Sequence, residues 1–389
     1  MTSNVVRVSQ RGMERLRNGH LWIYRSDVRQ ADAGPGTVVR ITDDRGRFAG
    51  QAFYSDRSQI AIRLLTREDV SIDREFFLNR IHTAAEFRSR VVRDTECFRI
   101  VYGEADLLPS LIVDRYGDYI SLQTLSQGTE ACKGLLVDVL RELFSPKGII
   151  ERNDPKVRLL EGLEQRVSVV HGEVPEELEA CENGVRFHYD LRHGQKTGSF
   201  LDQRENHRAA MEYACGDVLD CFCYAGGFSL TVAKSPSVAQ VEGADISEAA
   251  IAVARRNQDL NGIRNVAFRE ANAFDLLKAY DDAGRRFDMV IVDPPAFAKS
   301  RESIPAAQRG YKEINLRAMR ILRAGGYLLT CSCSHHVSEA LFLQILAEAA
   351  VDARRFVRVV ERRTQSRDHP ILLTVPETHY LKCFFLRVL

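Results

Sequence analysis

The chain has 389 residues, of which 45% are apolar and 28% charged, and a formal net charge of +1. This length exceeds what one hydrophobic core ordinarily supports, and the composition excludes fibrous and disordered classes. No run approaches about 18 apolar residues, and the N-terminal segment MTSNVVRVSQRGMERL lacks the apolar stretch of a signal peptide. We therefore expect two or three domains, a cytoplasmic location without membrane contact, and reduced thiols for the nine cysteines.

The first module, residues 1–68, is predicted to be a small β-barrel. Strands are expected at Thr37–Thr42, Arg47–Phe53 and Gln59–Leu65, with a turn at Asp43-Asp44-Arg45-Gly46. Residues 1–70 contain twelve arginines, no lysine and eight acids. Because guanidinium groups pair bidentately with phosphate, this bias favours a nucleic-acid-facing module, and a solvated surface is the alternative.

A connecting helix and a second, mixed α+β module are predicted next. Helical spacing of apolar residues predicts a helix over Asp73–Val92, within a connecting segment 69–96. The module over 97–192 has one further predicted helix, Glu130–Phe144. Its strands are expected at Phe98–Tyr102, Leu111–Asp114, Tyr119–Thr124 and in a hairpin of Leu178–Glu182 with Val185–Asp190 around Asn183-Gly184.

Residues 193–389 are predicted to form an α/β domain, because strands and helices alternate there. The seven expected strands are Val218–Cys221, Val241–Asp245, Val266–Glu270, Met289–Val292, Tyr327–Cys331, Val357–Glu361 and Lys382–Val388. Seven strands with the last two close together are typical of the methyltransferase variant of the doubly wound, Rossmann-like sheet.

The segment VLDCFCYAGGF, from Val218 to Phe228, predicts a cofactor site. Glycines such as Gly226 let backbone approach a ligand, and a helix start offers free N–H groups. About 20 residues on, a second strand ends in Asp245, a typical acceptor for ribose hydroxyls, and Ser247 caps the next helix. A glycine turn and an acidic strand end without phosphate-binding residues favour S-adenosylmethionine over an ordinary βαβ unit.

The other strand ends carry further candidate residues, since ligands collect outside the carboxyl ends of such strands. The first strand offers Asp220 and Tyr224, and the third offers Asn272 and Ala273 for an adenine edge. The fourth is followed by DPPAF, whose prolines fix the backbone. Within DPPAF, we expect Asp293 to orient a base and Phe297 to stack on it. Pro294, and Lys299 in the loop that follows, are expected to contact the substrate.

The segment TCSCSHHV, after the fifth predicted strand, carries the candidate nucleophile. Addition of a thiolate to C6 of cytosine makes C5 nucleophilic enough to accept a methyl group. Cys331 and Cys333 are two residues apart on an extended segment, so on spacing alone either could act. A metal or redox role for the Cys-x-Cys pairs is the alternative, but zinc sites usually separate cysteines by two to four residues, and we predict no metal site.

Together these motifs resemble the RlmI-like family of class I ribosomal RNA large-subunit methyltransferases, which make 5-methylcytosine. GHLWIYRSDV, from Gly19, is similar to the start of a PUA domain, an RNA-binding β-barrel, and we assign Arg17 and Trp22 to RNA contact. VYGEADLLPSLIVDRYGD and IIERNDPKVRLLEGL are similar to the family's central domain. GQKTGSFLDQRENHR, from Gly194, resembles its segment over the methionine end of the cofactor.

The resemblance implies a role for individual residues. Cys333, in Ser332-Cys333-Ser334, matches the catalytic cysteine. The cofactor S-adenosylmethionine is implied to lie near Phe200, Asp202, Gln203, Arg204, Asp220, Tyr224, Gly226, Asp245 and Asp293. The implied partner is large-subunit ribosomal RNA, and a homodimer is compatible with the sequence.

Two other functions stay open at the level of sequence. DPPAF also resembles the motif of amino-directed methyltransferases, so the acceptor could be a ring or amino nitrogen such as guanine N7. Cys333 would then be dispensable. A non-catalytic RNA-binding module is the alternative of a different class, and it would not bind S-adenosylmethionine.

Overall fold

The computed structural model describes residues 4–298 and 300–389. It separates into two compact units, each built from several chain segments. The first contains the chain up to Ala180, Tyr189–Leu201 and Arg367–Thr378; the second contains Cys181–His188, Asp202–Ser366 and His379–Leu389. The sequence-based limits at residues 68, 96 and 192 stay predictions.

The N-terminal part of the first unit is a six-stranded sheet with the order β2-β6-β5-β4-β1-β3. The predicted strands correspond to β4, β5 and β6 within one residue at each end. The strands are β1 (Val5–Val8), β2 (Trp22–Tyr24), β3 (Val28–Asp32), β4 (Val38–Thr42), β5 (Phe48–Tyr54) and β6 (Ile60–Thr66), and helix α1 is Gln10–Arg17. The sheet buries its own apolar core, which includes Ile23, Ile41 and Ile62.

The rest of the first unit is a five-stranded sheet with helices, in the order β11-β10-β9-β8-β7. Helix α2 (Arg74–Val91) confirms the predicted connecting helix, and Asp73 caps it by accepting from the Phe76 N–H. The strands are β7 (Cys97–Tyr102), β8 (Leu111–Tyr116), β9 (Tyr119–Thr124), β10 (Gly148–Asn153) and β11 (Arg166–Gly172).

The single helix predicted at Glu130–Phe144 is wrong in its start and its continuity. The structure has α3 (Gln127–Ala131) and α4 (Lys133–Phe144), which are separated at Cys132, and a short α5 (Val157–Leu160) follows. The Ser126 hydroxyl accepts from the Thr129 N–H, and this capping box starts the helix three residues before the predicted position. The predicted hairpin is confirmed as β12 (Leu178–Glu182) and β13 (Val185–Tyr189).

The second unit is built on a seven-stranded sheet with the order β16-β15-β14-β17-β18-β20-β19. Its first five strands are parallel, and β20 runs antiparallel to β18 and β19. The strands are β14 (Gly216–Cys221), β15 (Val238–Asp245), β16 (Val266–Glu270), β17 (Phe287–Val292), β18 (Leu322–Ser332), β19 (Val357–Arg363) and β20 (Lys382–Val388). All seven predicted strands are confirmed, and with them the Rossmann-like fold class.

Helices cover this sheet, which explains why its central strands are apolar on both faces. The helices are α6 (Arg204–Tyr213), α7 (Gly227–Val232), α8 (Glu248–Leu260), α9 (Ala273–Asp282), α10 (Ile304–Ile321) and α11 (Glu339–Asp352). One core cluster joins α9, α10 and α11 to β17 and β18 through residues such as Val290, Tyr311 and Phe342. Within residues 4–298 and 300–389, no helix has the length and apolar content needed to cross a bilayer.

Candidate active site

The turn between β14 and α7 is held in a conformation that favours glycine. Gly226 has a φ of 88° and precedes the first helical residue, Gly227. Phe222 and Tyr224 also have positive φ, at 68° and 47°, which is uncommon for residues with side chains. Such backbone strain is concentrated at ligand sites, and the turn places the start of α7 at the carboxyl end of the sheet.

Asp220 lies in β14 beneath this turn and is fully buried. Its Oδ2 accepts from the Ser229 N–H at 3.0 Å and from the Ser229 hydroxyl at 2.6 Å. Within residues 4–298 and 300–389, no hydrogen-bond donor reaches its other oxygen, Oδ1. Burial raises the pKa of Asp220 to about 7, and the negative charge of Asp293 adds to the shift. A buried carboxyl with an unused oxygen is suited to a cationic or hydrogen-bond-donating ligand.

Asp245, at the end of β15, is tied to the glycine turn. Its Oδ2 accepts from the Tyr224 N–H at 2.9 Å and its Oδ1 from the Ser247 N–H at 2.9 Å. A carboxylate has about four acceptor positions, so two hydrogen bonds leave capacity for ribose hydroxyls. Ser247 caps α8 as predicted, through its Oγ and the Ala250 N–H. Sequence reasoning missed Ile246, which follows the acid and is 66% exposed.

Asn272 and Ala273 lie at the start of α9, beyond the end of β16. The Asn272 side-chain oxygen accepts from the Phe274 N–H at 2.9 Å and caps the helix. Asn272 follows the third predicted strand as expected, but its side-chain oxygen already has this structural partner. Ala273 is buried in the core cluster. Binding of an adenine edge by this pair stays a prediction.

Asp293 directly follows β17 and is held from the start of α6. The Gln203 side-chain amide donates to Asp293 Oδ2 at 2.9 Å, and the Asn206 amide donates to Gln203 Oε1 at 2.7 Å. GQKTGSFLDQRENHR, which resembles the family's segment over the cofactor and is called the cover segment here, is therefore joined to DPPAF by the Gln203–Asp293 hydrogen bond. Two residues predicted from separate motifs are brought into direct contact.

Two neighbouring residues of the cover segment, Asp202 and Arg204, are also buried. Asp202 is 2% exposed and accepts from the Tyr380 hydroxyl at 2.6 Å. Arg204 is 1% exposed, and its guanidinium lies 3.7 Å from Glu205. Phe200 belongs to the first unit, where the Lys196 ammonium lies 4.7 Å from its ring centroid. The cofactor roles of these residues stay predictions.

The two candidate nucleophiles have different environments. Cys331 is fully buried within β18, paired in register with Cys383 of β20. Burial raises the pKa of the Cys331 thiol well above its usual range, and Cys383 contributes to the shift. Cys333 lies just after the end of β18, is half-buried, and its Sγ is 4.0 Å from the Pro294 carbonyl oxygen. The structure thus separates two cysteines that spacing alone left equivalent.

The two serines that flank Cys333 are held by Tyr311 of α10. The Ser332 hydroxyl donates to Tyr311 Oη at 3.0 Å, and Ser334 Oγ lies 3.0 Å from the same oxygen. Tyr311 is fully buried, and its ring packs against Phe297 at a centroid distance of 4.6 Å. Phe297, expected to stack on a base, is half-buried and partly used in this packing. Lys299 lies outside the described residues.

Sequence reasoning also missed Lys382, the first residue of β20. It is 4% exposed and pairs in register with Ser332. Its ammonium donates to the Ser334 carbonyl at 2.7 Å and to the Tyr380 carbonyl at 2.8 Å. Burial lowers the pKa of Lys382 to about 8, while Cys333 and Glu339 oppose the shift. The last strand of the sheet therefore brings a buried cation to residues 333–338, the loop between β18 and α11 that carries Cys333 and is called the Cys333 loop below.

The predicted RNA-contact residues lie in the first unit. Arg17 is exposed, whereas the Trp22 indole donates to Glu104 Oε1 at 2.9 Å. Other N-terminal arginines are engaged by the protein: Arg11 pairs with Asp27, and Arg25 donates to the Ser55 and Ser58 carbonyls. Part of the arginine bias therefore serves contacts within the first unit, which neither of the two sequence-based interpretations included. The RNA contacts stay predictions.

The second Cys-x-Cys pair, Cys221 and Cys223, lies at the end of β14 and in the turn after it. Cys221 and Cys223 are buried, and burial raises the pKa of both thiols well above the usual range. His335 and His336 are exposed. In the part of the chain that the structure describes, no group of three His, Cys, Asp or Glu side chains could hold a metal ion.

Comparison with known proteins agrees with this fold. A family model described as S-adenosylmethionine-dependent methyltransferase matches residues 164–384, and a model described as PUA-like domain matches residues 6–67. The fold and the family models therefore define an S-adenosylmethionine-dependent methyltransferase with a PUA-like N-terminal domain.

Individual relatives are similar over their full length. Ribosomal RNA large subunit methyltransferase I of Vibrio cholerae serotype O1 is 41% identical over 384 residues, 96% of each chain. The protein of the same name from Erwinia tasmaniensis is 38% identical over 398 residues, 100% of each chain. The chain belongs to the family of ribosomal RNA large subunit methyltransferase I, which confirms the resemblance stated from the motifs.

Solved structures share the fold. A chain described as a methyltransferase complexed with SAH has a TM-score of 0.85 at 19% identity, covering 99% of this chain and 100% of its own. One from Streptococcus mutans, described as a SAM-dependent methyltransferase, has a TM-score of 0.83 at 19% identity, with 99% and 100% coverage. At this identity the likeness establishes the fold alone.

The residues present suit the cofactor of this family, S-adenosylmethionine. Asp220 Oδ1 is buried without a hydrogen-bond partner among the described residues and can face a cation. Asp245 retains acceptor capacity, and the exposed Ile246 offers an apolar surface beside it. Asp220, Tyr224, Gly226, Asp245 and Asp293 all lie at the carboxyl ends of adjacent parallel strands or in the turns after them.

Proposed function

We propose that this protein methylates C5 of a cytosine in large-subunit ribosomal RNA through a covalent bond between Cys333 and C6 of the base. The relatives' names support ribosomal RNA as the acceptor. One observation carries the cytosine mechanism: the half-buried Cys333 thiol lies 4.0 Å from the Pro294 carbonyl of DPPAF, beside the strand end that bears Asp293. Nucleophile and base-orienting segment are thereby adjacent.

The chemistry starts from the thiolate of Cys333. Its electron pair forms the S–C6 bond, and the C5–C6 π electrons make C5 nucleophilic. Bound S-adenosylmethionine would supply an electrophilic methyl group on its sulfonium; bonding of this methyl to C5 would break the S–CH3 bond and leave a neutral thioether. Loss of the C5 proton to a base and departure of the Cys333 thiolate restore the aromatic ring. The base must be single-stranded or flipped out of a helix to reach these groups.

Asp293 has the role of orienting the cytosine. Its carboxylate can accept from the exocyclic N4 amino group and from a protonated N3. Gln203 holds one of its oxygens, so the carboxylate keeps a fixed direction while it binds. Prolines at positions 294 and 295 restrict the backbone immediately after it. On the cofactor side, Ile246 is suited to cover the adenine ring and Asp245 to bind the ribose.

The test compares two cysteines that are two residues apart. Large-subunit RNA is isolated from cells lacking the gene and complemented with the wild type, Cys333→Ala or Cys331→Ala, and is read by bisulfite sequencing. We expect the 5-methylcytosine signal to vanish with Cys333→Ala and to persist with Cys331→Ala. Binding of labelled S-adenosylmethionine by Cys333→Ala shows that this variant is folded.

Other outcomes identify the rival functions. Methylation that persists in Cys333→Ala and is found on guanine N7, by cleavage of the RNA at that base, contradicts the cysteine mechanism. A wild-type protein that does not bind labelled S-adenosylmethionine would instead be an RNA-binding module.

A further inference from the structure

A buried lysine lies under the loop that carries Cys333. Lys382 is 4% exposed, and in register it faces Ser332, the residue before Cys333. Its ammonium donates to the Ser334 carbonyl, the residue after Cys333, at 2.7 Å. Lys382 therefore donates a hydrogen bond to the residue that follows Cys333, and its strand pairs with the residue that precedes Cys333.

The charge of this lysine has no carboxylate partner in the described residues. Its ammonium is satisfied by two neutral acceptors, the Ser334 and Tyr380 carbonyls, and makes no ion pair there. Glu339, at the start of α11, favours the charged form, but that carboxylate pairs with Arg362 at 3.5 Å. Burial of an ammonium without a counter-ion is unfavourable in free energy. An anion beside Lys382 would therefore stabilise its charged form.

Cys333 can supply that anion when it ionises. The positive charge of Lys382 and a Cys333 thiolate stabilise one another, which is visible as the effect of Cys333 on the lysine pKa. A cysteine nucleophile ordinarily needs a nearby cation, because a free thiol has a pKa of about 8.5. Among the described residues, the titratable groups around the loop include Asp293 after β17, Tyr311 of α10, His335 and His336 within the loop, Glu339 of α11, and Tyr380 and Lys382.

We propose that Lys382 is a positioning residue that holds the Cys333 loop and supplies the positive charge which keeps Cys333 ionised for attack. The inference rests on the proposed function, since it takes Cys333 as the nucleophile. Burial lowers the pKa of Lys382 to about 8, so the lysine remains mostly charged at neutral pH and loses its charge above it. Its effect on Cys333 should therefore be large near neutral pH and disappear in alkaline solution.

The experiment measures the rate of alkylation of Cys333 by iodoacetamide as a function of pH, by mass spectrometry of its peptide in the full chain. The variants are Lys382→Gln, whose amide still donates to a carbonyl, Lys382→Met and Lys382→Arg. The exposed Cys215 is an internal control in every sample. Tyr311→Phe is a matched control, because it removes the hydroxyl that holds Ser332 and Ser334 but no charge.

We expect Lys382→Gln and Lys382→Met to slow alkylation of Cys333 about tenfold near pH 7, which corresponds to a shift of about one pKa unit. The difference should vanish above about pH 9, where the lysine of the wild type is neutral. Lys382→Arg should restore the wild-type rate near pH 7, and Tyr311→Phe should leave the midpoint unchanged. Alkylation of Cys215 should be the same in all variants.

Either of two results overturns the inference. One is an unchanged Cys333 profile in Lys382→Gln with an unchanged Cys215 control. The other is an arginine variant as slow as the glutamine variant, because charge would then not be the cause. The proposed function fails separately, if Cys333→Ala still methylates RNA. An inactive Cys333→Ala combined with an unaltered profile in Lys382→Gln would remove only the role of Lys382.

Discussion

Gln203 donates a hydrogen bond from its side-chain amide to Asp293 Oδ2 at a distance of 2.9 Å. Gln203 immediately precedes α6, and Asp293 immediately follows β17, so the contact joins segments 90 residues apart in the sequence. Asn206 fixes the orientation of the amide by donating to its oxygen. The orientation of the Asp293 carboxylate is therefore fixed before a ligand binds. Such preorganisation lowers the entropic part of the activation barrier.

Replacement of Gln203 by Met should lower kcat/KM for RNA methylation about 10- to 100-fold, because a hydrogen bond to a charged group contributes about 1.5–3 kcal/mol. The methionine keeps the volume but cannot donate. Initial rates with tritiated S-adenosylmethionine measure the change. Gln258→Met is the matched control, since among the described residues that side chain donates to the Ile263 and Val266 carbonyls. An undiminished kcat/KM in Gln203→Met would refute the role.

The raised pKa of Asp220 predicts that cofactor affinity and the free energy of unfolding both depend on pH. Its pKa is raised to about 7 in the folded chain. As pH rises toward 7, the unfolded chain loses this proton first, so the folded state loses stability relative to it. Asp220→Asn can still accept from Ser229, and it should raise the melting temperature of the cofactor-free protein more at pH 8 than at pH 5.5, measured by calorimetry.

The same group should make cofactor affinity depend on pH. S-adenosylmethionine is cationic at its sulfonium and ammonium groups, so ionisation of Asp220 favours its binding. Titration calorimetry should show affinity increasing between about pH 6 and about pH 8 in the wild type and a flatter profile in Asp220→Asn. A wild-type affinity that is constant over this range would contradict the assignment.

Substitution of Gly227 by alanine tests the close packing beneath the glycine turn. A Cβ at this position would lie 2.6 Å from His207 Cε1, and the His207 ring is held by Glu182 at 2.7 Å. Gly227→Ala should therefore destabilise the fold by about 1–3 kcal/mol and weaken cofactor binding. Urea denaturation and equilibrium dialysis measure the two effects. Gly134→Ala, in α4 with no atom near the added carbon, should instead be neutral or stabilising.

Much of the second unit could be predicted from the sequence because its strands are short apolar runs that end in polar residues. Strand β16, Val266–Glu270, and strand β20, Lys382–Val388, have the predicted bounds. Helix α8 was also predictable, since Ser247 marks its start and Asn261-Gly262 its end. In each case the signal is local, and packing of the rest of the chain did not override it.

Contacts between distant segments could not be predicted. Lys382 reaches the Cys333 loop because β20 is antiparallel to β18 in one particular register, and a slip of one residue would direct it elsewhere. The fixation of Ser332 and Ser334 by Tyr311 likewise depends on how α10 packs on the sheet. Burial also distinguishes Cys331 from Cys333, whereas their spacing does not.

The N-terminal arginines give a final prediction, which separates RNA contact from structural support. Arg17 and Arg29 are exposed, whereas Arg25 donates to the backbone carbonyls of Ser55 and Ser58. If exposed guanidinium groups bind phosphates, Arg17→Ala with Arg29→Ala should weaken binding of large-subunit RNA and lower the salt dependence of the affinity. The slope of log K against log salt is negative, and its magnitude should decrease by about 0.7–0.9 for each phosphate that the variant no longer neutralises.

Gel-shift titrations from about 50 to about 200 mM KCl measure this slope. Arg25→Ala is the control of opposite behaviour, because removal of its hydrogen bonds to the backbone should lower the melting temperature and leave the slope unchanged while the protein is folded. An unchanged slope in the double variant would show that the arginines at 17 and 29 are solvated surface and that RNA is bound elsewhere on the chain.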